Sequence, residues 1–419
     1  MAGDLPLKRL LALAKARPAA LKNSALPKGF SVFGVRCGIS SKPGKKDMAL
    51  FYSARPAAAA GVFTRNRVVA APVLLSRRHL RTAGSVRAVI ANSGCANACT
   101  GARGLSDAAS SARTAARGLN VAPAQVLVAS TGVIGRYLPP VPLKAGVDGL
   151  VDLVRAGRPS SVGAALRAIM TTDTRPKAAL ERFSVRGKTV TVWGCAKGAG
   201  MIHPDVATML VFLLTDIALP AAALRKDLRE AASATFNRLT VDGDTSTNDS
   251  VFLLANGAAG VGGSSAGARR KFQEALDRVC LSLSAQIAAD GEGATRTAWI
   301  FVEGAAREED AARAAATIAT SPLVKTALHG ADPNWGRVIA ALGRAGVPFD
   351  PSTAEIRFGD VVVFRRGARA AFSEKALHKI LKKDTVVIRV DLRRGRGRAH
   401  YVTCDYSKDY ISINADYTT

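Results

Sequence analysis

Between Gly194 and Asp216 the chain reads GCAKGAGMIHPDVATMLVFLLTD, and two opposed structural demands meet in it. Small residues come first. Gly194, Ala196, Gly198, Ala199 and Gly200 surround one cation, Lys197, which predicts an open loop with a mobile ammonium. An apolar run follows, Met209 to Leu214, with the length and the branched and aromatic content of a buried strand. Thr208 stands at the junction. Ala207 before it carries only a methyl group, so its carbonyl would stay open to the Thr208 hydroxyl. Two readings fit these residues. In one, Thr208 is an ordinary strand-end threonine that satisfies a backbone group. In the other, its hydroxyl attacks the preceding peptide bond in an N-to-O acyl shift. Cleavage would then leave Thr208 as a new N-terminus, its free α-amine beside the hydroxyl it activates.

Around this stretch, strands and helices alternate without a single dominant period. Strands are predicted at Asp47–Ser53, Ala59–Thr64 and Val86–Ala91, with the apolar Val68–Leu75 between them; Gln125–Ser130 then delivers Thr131 and Gly132. Helices are predicted over Ser106–Leu119, with Ser106 as N-cap, and over Leu143–Arg155 and Ser161–Met170. A hairpin joins Phe183–Val185 to Thr189–Trp193 over Arg186-Gly187-Lys188. Past Thr208 come a strand to Thr215, a helix near Ala221–Phe236, a strand Ser250–Ala255, a helix Ala266–Ala289 and a strand Arg296–Val302. The closing third alternates helices (Glu308–Ala319, Trp335–Ala345, Glu374–Lys382) with strands (Ala354–Phe358, Val361–Phe364, Val386–Asp391, His400–Cys404). This is a mixed α/β (α+β) pattern, a layered sandwich of helices and mixed sheets and not a doubly wound parallel sheet. No dinucleotide-binding or phosphate-loop glycine pattern occurs in context. The turn Asp242-Gly243-Asp244-Thr245-Ser246-Thr247-Asn248-Asp249 could offer oxygen ligands to a cation. It lacks the spacing and closing glutamate of a calcium loop, so capping and hydrogen bonding is the preferred reading.

Charge and cysteine usage narrow the class. The formal charge is +27, from 59 basic and 32 acidic residues, which suits a polyanion partner. The densest clusters, Arg365-Arg366-Gly367-Ala368-Arg369 and Arg393-Arg394-Gly395-Arg396-Gly397-Arg398, carry no interleaved aromatics and fall between predicted strands, so they read as solvated loops. Nucleic-acid binding is therefore the reading from another class, not the favoured one. Six cysteines in 419 residues are no disulfide scaffold, and Cys95 and Cys99 have no second pair to complete a zinc site, so no metal is expected. No apolar run approaches the roughly 18–20 residues of a membrane span. Residues 1–25 form a basic N-terminal extension. The expected compartment is cytoplasmic, or an organellar matrix if that extension is a transit peptide.

The segment KGAGMIHPDVATML resembles the self-cleavage and nucleophile segment of the ornithine acetyltransferase family, the glutamate N-acetyltransferases of arginine biosynthesis. GKKDMAL, AAAAGVFTRNRVVAAPV, ANSGCANACTG, STGVIG and TTDT precede it in the family's order. VDGDTSTND, ADGEGATR, HGADPNWGRV and INADYTT follow, so the likeness runs from about Leu26 to Thr419. The resemblance implies cleavage between Ala207 and Thr208, an α chain (26–207) and a β chain (208–419) with Thr208 as N-terminal nucleophile. It implies transfer of acetyl from N2-acetylornithine to glutamate through acetyl-Thr208, with acetyl-CoA as a further co-substrate if the enzyme is bifunctional and no bound cofactor. Thr131 and Gly132 match the oxyanion-hole pair. Lys197, Thr208, Glu292, Asn414 and Thr419 match substrate-binding positions, and Thr174 is taken for another from among Thr171, Thr172 and Thr174. Tyr410, Ile411 and Ile413 would anchor the tail that carries Asn414 and Thr419. Resemblance also implies a heterotetramer of two α and two β chains. The rival within enzymes is a self-processing amidase or aminopeptidase.

Overall fold

Hydrophobic periodicity that switches repeatedly between two and 3.6 becomes, in the computed structural model, two mixed sheets with helices between and around them. Residues 12–13, 18–203, 209–263 and 265–416 are described. The larger sheet contains β1 (Phe30–Val35), β2 (Met48–Phe63), β3 (Val86–Cys95), β4 (Val126–Val133), β5 (Lys177–Val185), β6 (Lys188–Lys197), β7 (Leu210–Thr215) and β8 (Ser250–Ala255). Its order is β4-β3-β2-β8-β7-β6-β5, with β1 also on β2. The β3–β4 and β7–β8 pairs are parallel. The smaller sheet contains β9 (Thr297–Ala305), β10 (Glu355–Phe358), β11 (Val361–Arg365), β12 (Ala368–Arg369), β13 (Thr385–Asp391) and β14 (Gly397–Cys404), in the order β12-β11-β10-β13-β9-β14.

The run after Thr208 becomes β7, and both of its faces are buried. Val211 and Leu213 point into a core shared with the helices Ala221–Ala234 and Ala266–Ala289. Leu210, Phe212 and Leu214 face the opposite core, beneath the helix Val162–Ile169. There Phe212 stacks on Phe51 at 4.0 Å between ring centroids, with Phe252 at 5.9 Å. Burial on both faces is why the segment reads as continuous apolar sequence and not as an alternation. Each such side chain contributes roughly 1.5–3 kcal/mol relative to exposure.

The start of the same stretch departs from expectation. Gly194, Cys195, Ala196 and Lys197 are not an open loop; they are the last residues of β6, paired with Leu213 through Leu210 of β7. A Cβ on Gly194 would stand 2.6 Å from Leu213 Cδ2 and 2.9 Å from Val279 Cγ1. Gly194 is small because the Ala266–Ala289 helix packs directly over it, not because the backbone must bend.

Other differences have long-range causes. The two strands expected around Ser53 and Ala59 are one strand, β2, which pairs with β1 and β3 in its first half and β8 in its second. Pro56 lies exposed at the changeover, where a missing N–H costs the ladder little. The expected helix from Ser106 begins at Gly101 instead. Thr100 Oγ1 donates to Asn97 Oδ1 (2.8 Å) and Asn97 Nδ2 to Gly104 O (2.9 Å), so a buried side-chain pair holds the first turn in place of a serine cap. The Arg186-Gly187 turn is a two-residue connection with both residues at positive φ, and Lys188 already belongs to β6. Strand β1 and the helices Ala71–Thr82, Pro322–His329 and Lys408–Asp416 had no sequence prediction. Residues 18–25 are packed, not peripheral: Ala20 and Ala25 are buried, and Trp193 Nε1 donates to Ala20 O at 2.8 Å. The Arg365–Arg369 cluster is an exposed hairpin turn. Among the described residues, no helix is long and apolar enough to cross a membrane.

The long Ala266–Ala289 helix buries one carboxylate at a cost. Asp277 is 4% exposed; Oδ1 accepts from Gln273 Nε2 (2.8 Å), and Oδ2 has no partner among the described residues. Burial pushes its carboxyl up to about 6. An acid raised above its unfolded value of about 3.9 favours the fold only while protonated. That contribution is complete below about pH 3.9 and is lost as pH climbs through the folded value. Asp277→Asn should therefore raise Tm at pH 8 and leave it nearly unchanged at pH 4. Equal shifts at both pH values in thermal melts would refute this account.

Candidate functional site

Strands β3 and β4 run parallel, so their C-terminal ends reach the same edge of the sheet, with Gly94 opposite Gly132. Gly132 adopts φ 130°, and a Cβ there would lie 2.4 Å from the Gly94 carbonyl carbon and 2.6 Å from Cys95 N. No larger residue fits at the close of β4. Thr131 just before it is 3% exposed. The preceding residue is fixed from a distance: Asn248 Nδ2 donates to Ser130 O (2.9 Å) and to Ala96 O (2.6 Å).

Strand β6 delivers Lys197 to the same place. It is buried in the structure and not on the surface: it is 2% exposed, and its Nζ lies 3.2 Å from Thr131 Oγ1. An ammonium can only donate, so Thr131 accepts there and must aim its own proton at a different acceptor. Burial pushes the Lys197 ammonium down, and Asp173 pulls it back up. Lys45, half-buried near both, is lowered to about 8 by burial, then by Lys42 and Lys197.

Behind Lys197 lies a buried charge cluster. Lys177 Nζ donates to Asp173 Oδ1 (2.6 Å) and to Asp290 Oδ2 (2.5 Å), all three side chains being at most 2% exposed. Asp173 also accepts from Gly198 N (2.7 Å) and Thr171 N (3.0 Å). Burial alone would raise the Asp173 carboxyl, but Lys177 and Lys197 outweigh it and hold it well below the usual range. Thr174 belongs to this cluster. Thr174, taken above as the binding threonine, hydrogen-bonds Asp290 through its hydroxyl and, at 3.1 Å, through its N–H. Thr171 and Thr172 line the cleft instead, and Thr174 does not.

Asp290 caps the Ala266–Ala289 helix, and two residues on Glu292 enters the cleft. Glu292 is 9% exposed; its N–H donates to Ala199 O (2.8 Å), and its carboxylate rests on Gly200, where a Cβ would meet it at 2.4 Å. Asn414 Nδ2 donates to Glu292 Oε2 at 2.9 Å. Asn414 rides on the Lys408–Asp416 helix, whose start is pinned by Ser407: Oγ donates to Gly293 O (2.5 Å) and accepts from Tyr410 N (3.3 Å). Of the expected anchors, Tyr410 stacks on Tyr406 at 4.9 Å and Ile413 is half-buried, but Ile411 is 69% exposed and anchors nothing. Helix formation and the Ser407 contact order this tail in place of an apolar grip.

Thr131, Gly132, Lys197, Glu292, Tyr410 and Asn414 thus share one cleft of about 250 Å³. Ala207, Thr208 and Thr419 lie outside the described residues. The chain is described again from Met209, buried at the start of β7, and Lys197 stands opposite Leu210 in the ladder. Sequence reasoning passed over Lys177, which looks like any lysine at a strand start, and gave no role to Asp173 or Asp290, although each falls in a segment it had marked; Asn248 lies in the turn it read as hydrogen-bonding. Among the described residues, no group of three or more His, Cys, Asp or Glu could share a metal ion.

The sequence profile of the ArgJ family matches residues 31–419. The chain is 48% identical over 396 residues to the arginine biosynthesis bifunctional protein ArgJ of Symbiobacterium thermophilum, covering 94% of this chain and 98% of that one. It is 44% identical over 403 residues to the glutamate N-acetyltransferase of Methanocaldococcus jannaschii, again 94% and 98%. A solved structure of the arginine biosynthesis bifunctional protein argJ from Bacillus halodurans shares 40% identity over 49% of this chain and 98% of that chain, with a TM-score of 0.48. With a profile match across nearly its whole length and relatives this similar end to end, the chain belongs to the ArgJ family.

Proposed function

We propose that this chain is a glutamate N-acetyltransferase of arginine biosynthesis that moves acetyl from N2-acetylornithine to glutamate through Thr208. The observation that carries the reading is the Lys197–Thr131 contact, with Lys197 opposite Leu210, the first residue of the β7 strand that follows Thr208. In self-cleavage the Thr208 hydroxyl attacks the Ala207 carbonyl carbon, the C–N bond breaks, and the hydroxyl proton passes to the departing amine. Water hydrolyses the resulting ester, giving an Ala207 carboxylate and a free Thr208. In transfer, the Thr208 α-amine, with a reference pKa of about 7.7–8, accepts the hydroxyl proton as Oγ attacks the acetyl carbonyl. The proton passes to the amine of departing ornithine. The amine of glutamate then attacks acetyl-Thr208 and restores the hydroxyl.

Thr131 O–H and Gly132 N–H are the proposed oxyanion donors, with Lys197 polarising the threonine by donating to its oxygen. Glu292 and Asn414 are the proposed contacts for the amine and polar α-substituents of the amino acid, together with Thr208 and Thr419. Thr171 and Thr172 replace Thr174 in that role. Acetyl-CoA as a second donor, a heterotetramer of two copies of each cleaved chain, and a cytoplasmic location belong to the same proposal.

Thr208→Ala should leave one full-length chain without transferase activity, whereas Thr208→Ser should retain some cleavage. Mass spectrometry under denaturing conditions reads the outcome, and fragments split after Ala207 in the alanine variant would sink the mechanism. Thr131→Ala should lower kcat about 10-fold or more with a smaller change in KM, as a donor used in the transition state should. Because Lys197 acts partly through Thr131, Lys197→Met combined with Thr131→Ala should cost less than the sum of the two. Strict additivity in kcat would separate their roles. Thr172→Val should raise KM for acetylornithine, while Thr174→Val should lower Tm with KM unchanged; steady-state kinetics and melts that gave the reverse would restore Thr174 to the site.

A further inference from the structure

The segment VDGDTSTND, read from sequence as a capping and hydrogen-bonding turn, has side chains that reach both flanks of the 204–208 stretch. On one flank, Asp242 Oδ2 accepts from Met201 N (2.5 Å) and Oδ1 from Ile202 N (2.8 Å). Two bonds to the Ile202 carbonyl reinforce this grip: Val241 N donates to it at 2.8 Å, and the Thr240 hydroxyl Oγ1 at 3.0 Å. Met201 needs such support, because it holds φ 55°, a left-handed conformation that a non-glycine residue rarely adopts. On the other flank, Asp249 Oδ1 accepts from Met209 N (3.1 Å), while Ser250 N donates to Met209 O (3.1 Å). Asp249 is 1% exposed. Between the two aspartates, Asn248 fixes Ser130, the residue before Thr131.

We propose that Asp242 and Asp249 are the positioning residues of self-cleavage: one turn fixes the backbone on both sides of the scissile stretch and, through Asn248, the oxyanion strand it must meet. The inference rests on the reading of Thr208 given above. An attacking hydroxyl, a carbonyl carbon and an oxyanion donor must come within near-attack distance, and a misplacement of about 1 Å can cost on the order of 100-fold in rate. Asp242 and Asp249 act through the N–H groups of Met201 and Ile202 before the stretch and of Met209 after it. A seven-residue offset within one turn suits this task, because any shift of the turn would carry all three parts together.

The test follows the appearance of fragments 1–207 and 208–419 from newly folded full-length chain over time, read by denaturing mass spectrometry. Asp249→Ala and Asp242→Ala should slow cleavage at least about 10-fold. Asp249→Asn keeps an oxygen for Met209 N–H and should cleave within about threefold of the parent rate. Asp249→Glu keeps the charge but moves the acceptor by one methylene, and should slow cleavage like the alanine variant. If an alanine variant does not fold, by its melting transition, the Asn–Glu comparison decides alone. Rates for Asp249→Asn as low as for Asp249→Glu would make the carboxylate a proton-transfer group and overturn positioning. Parent-like rates in all four variants would overturn the proposal while leaving Thr208 intact. Cleavage in a Thr208→Ala control would instead overturn the reading on which it rests.

Discussion

The cleft depends on a buried ammonium. Lys177 sits between Asp173 and Asp290, and three segments that reach the site are tied to those carboxylates. Asp173 gathers the turn at Thr171 and the start of the glycine loop at Gly198; Asp290 gathers Thr174 and ends the helix that leads into Glu292. A buried ion pair is no guarantee of stability, since desolvation opposes it. Here each carboxylate also accepts backbone or hydroxyl hydrogens, which is the condition for such a cluster to hold. Breaking it by removing one partner would leave a charge stranded in the interior, at a cost of about 3–5 kcal/mol. Its contribution is geometric as much as energetic, because it sets three loops from distant parts of the chain in one register.

That register in turn defines the electrostatics at Thr131. Lys197 is buried with Asp173 and Glu292 near it, so its charge is partly balanced yet directed at one hydroxyl. A surface lysine would be screened and would hold no fixed geometry. Glu292 is similarly confined between Gly200 and Asn414, with one oxygen occupied by the Asn414 amide. The site is therefore built of charged groups whose positions are fixed before any substrate arrives, which is the form of preorganisation that electrostatic catalysis uses.

Much of this was legible in the residues. The Met209–Leu214 run announced a buried strand because burial on both faces leaves an unbroken apolar sequence, and β7 is that strand. Mixed α and β layers followed from a periodicity that kept changing. What escaped was set by partners far away in sequence. Gly194 looked like a loop glycine, and only the packing of the Ala266–Ala289 helix shows why it must lack a side chain. Ser106 looked like a cap, but the Asn97–Thr100 pair starts the helix five residues earlier. Thr174 looked as suited to substrate as Thr172, because nothing local reveals that Asp290 takes its hydroxyl. Residues Lys408–Asp416 carry no clear helical pattern in sequence, whereas in the fold they are a helix pinned by Ser407 to Gly293.

The strand order bears directly on cleavage. β7 and β8 follow Thr208 in sequence, yet they lie inside the larger sheet, between β2 on one side and β6 on the other, both of which precede it. The ladders β2–β8 and β6–β7, and the Lys177–Asp290 ion pair, all join the two sides of the Ala207–Thr208 bond. A chain cut there in the folded state would lose one covalent link and none of these contacts, so its fragments would stay together without a linker. The same interleaving dictates order in time. Lys197 meets Thr131 only when β6 has paired with β7 and β4 has closed against β3, which requires strands from both sides of the bond. Chemistry at Thr208 that depends on this contact must wait for the sheet, so the proposed cleavage would follow folding.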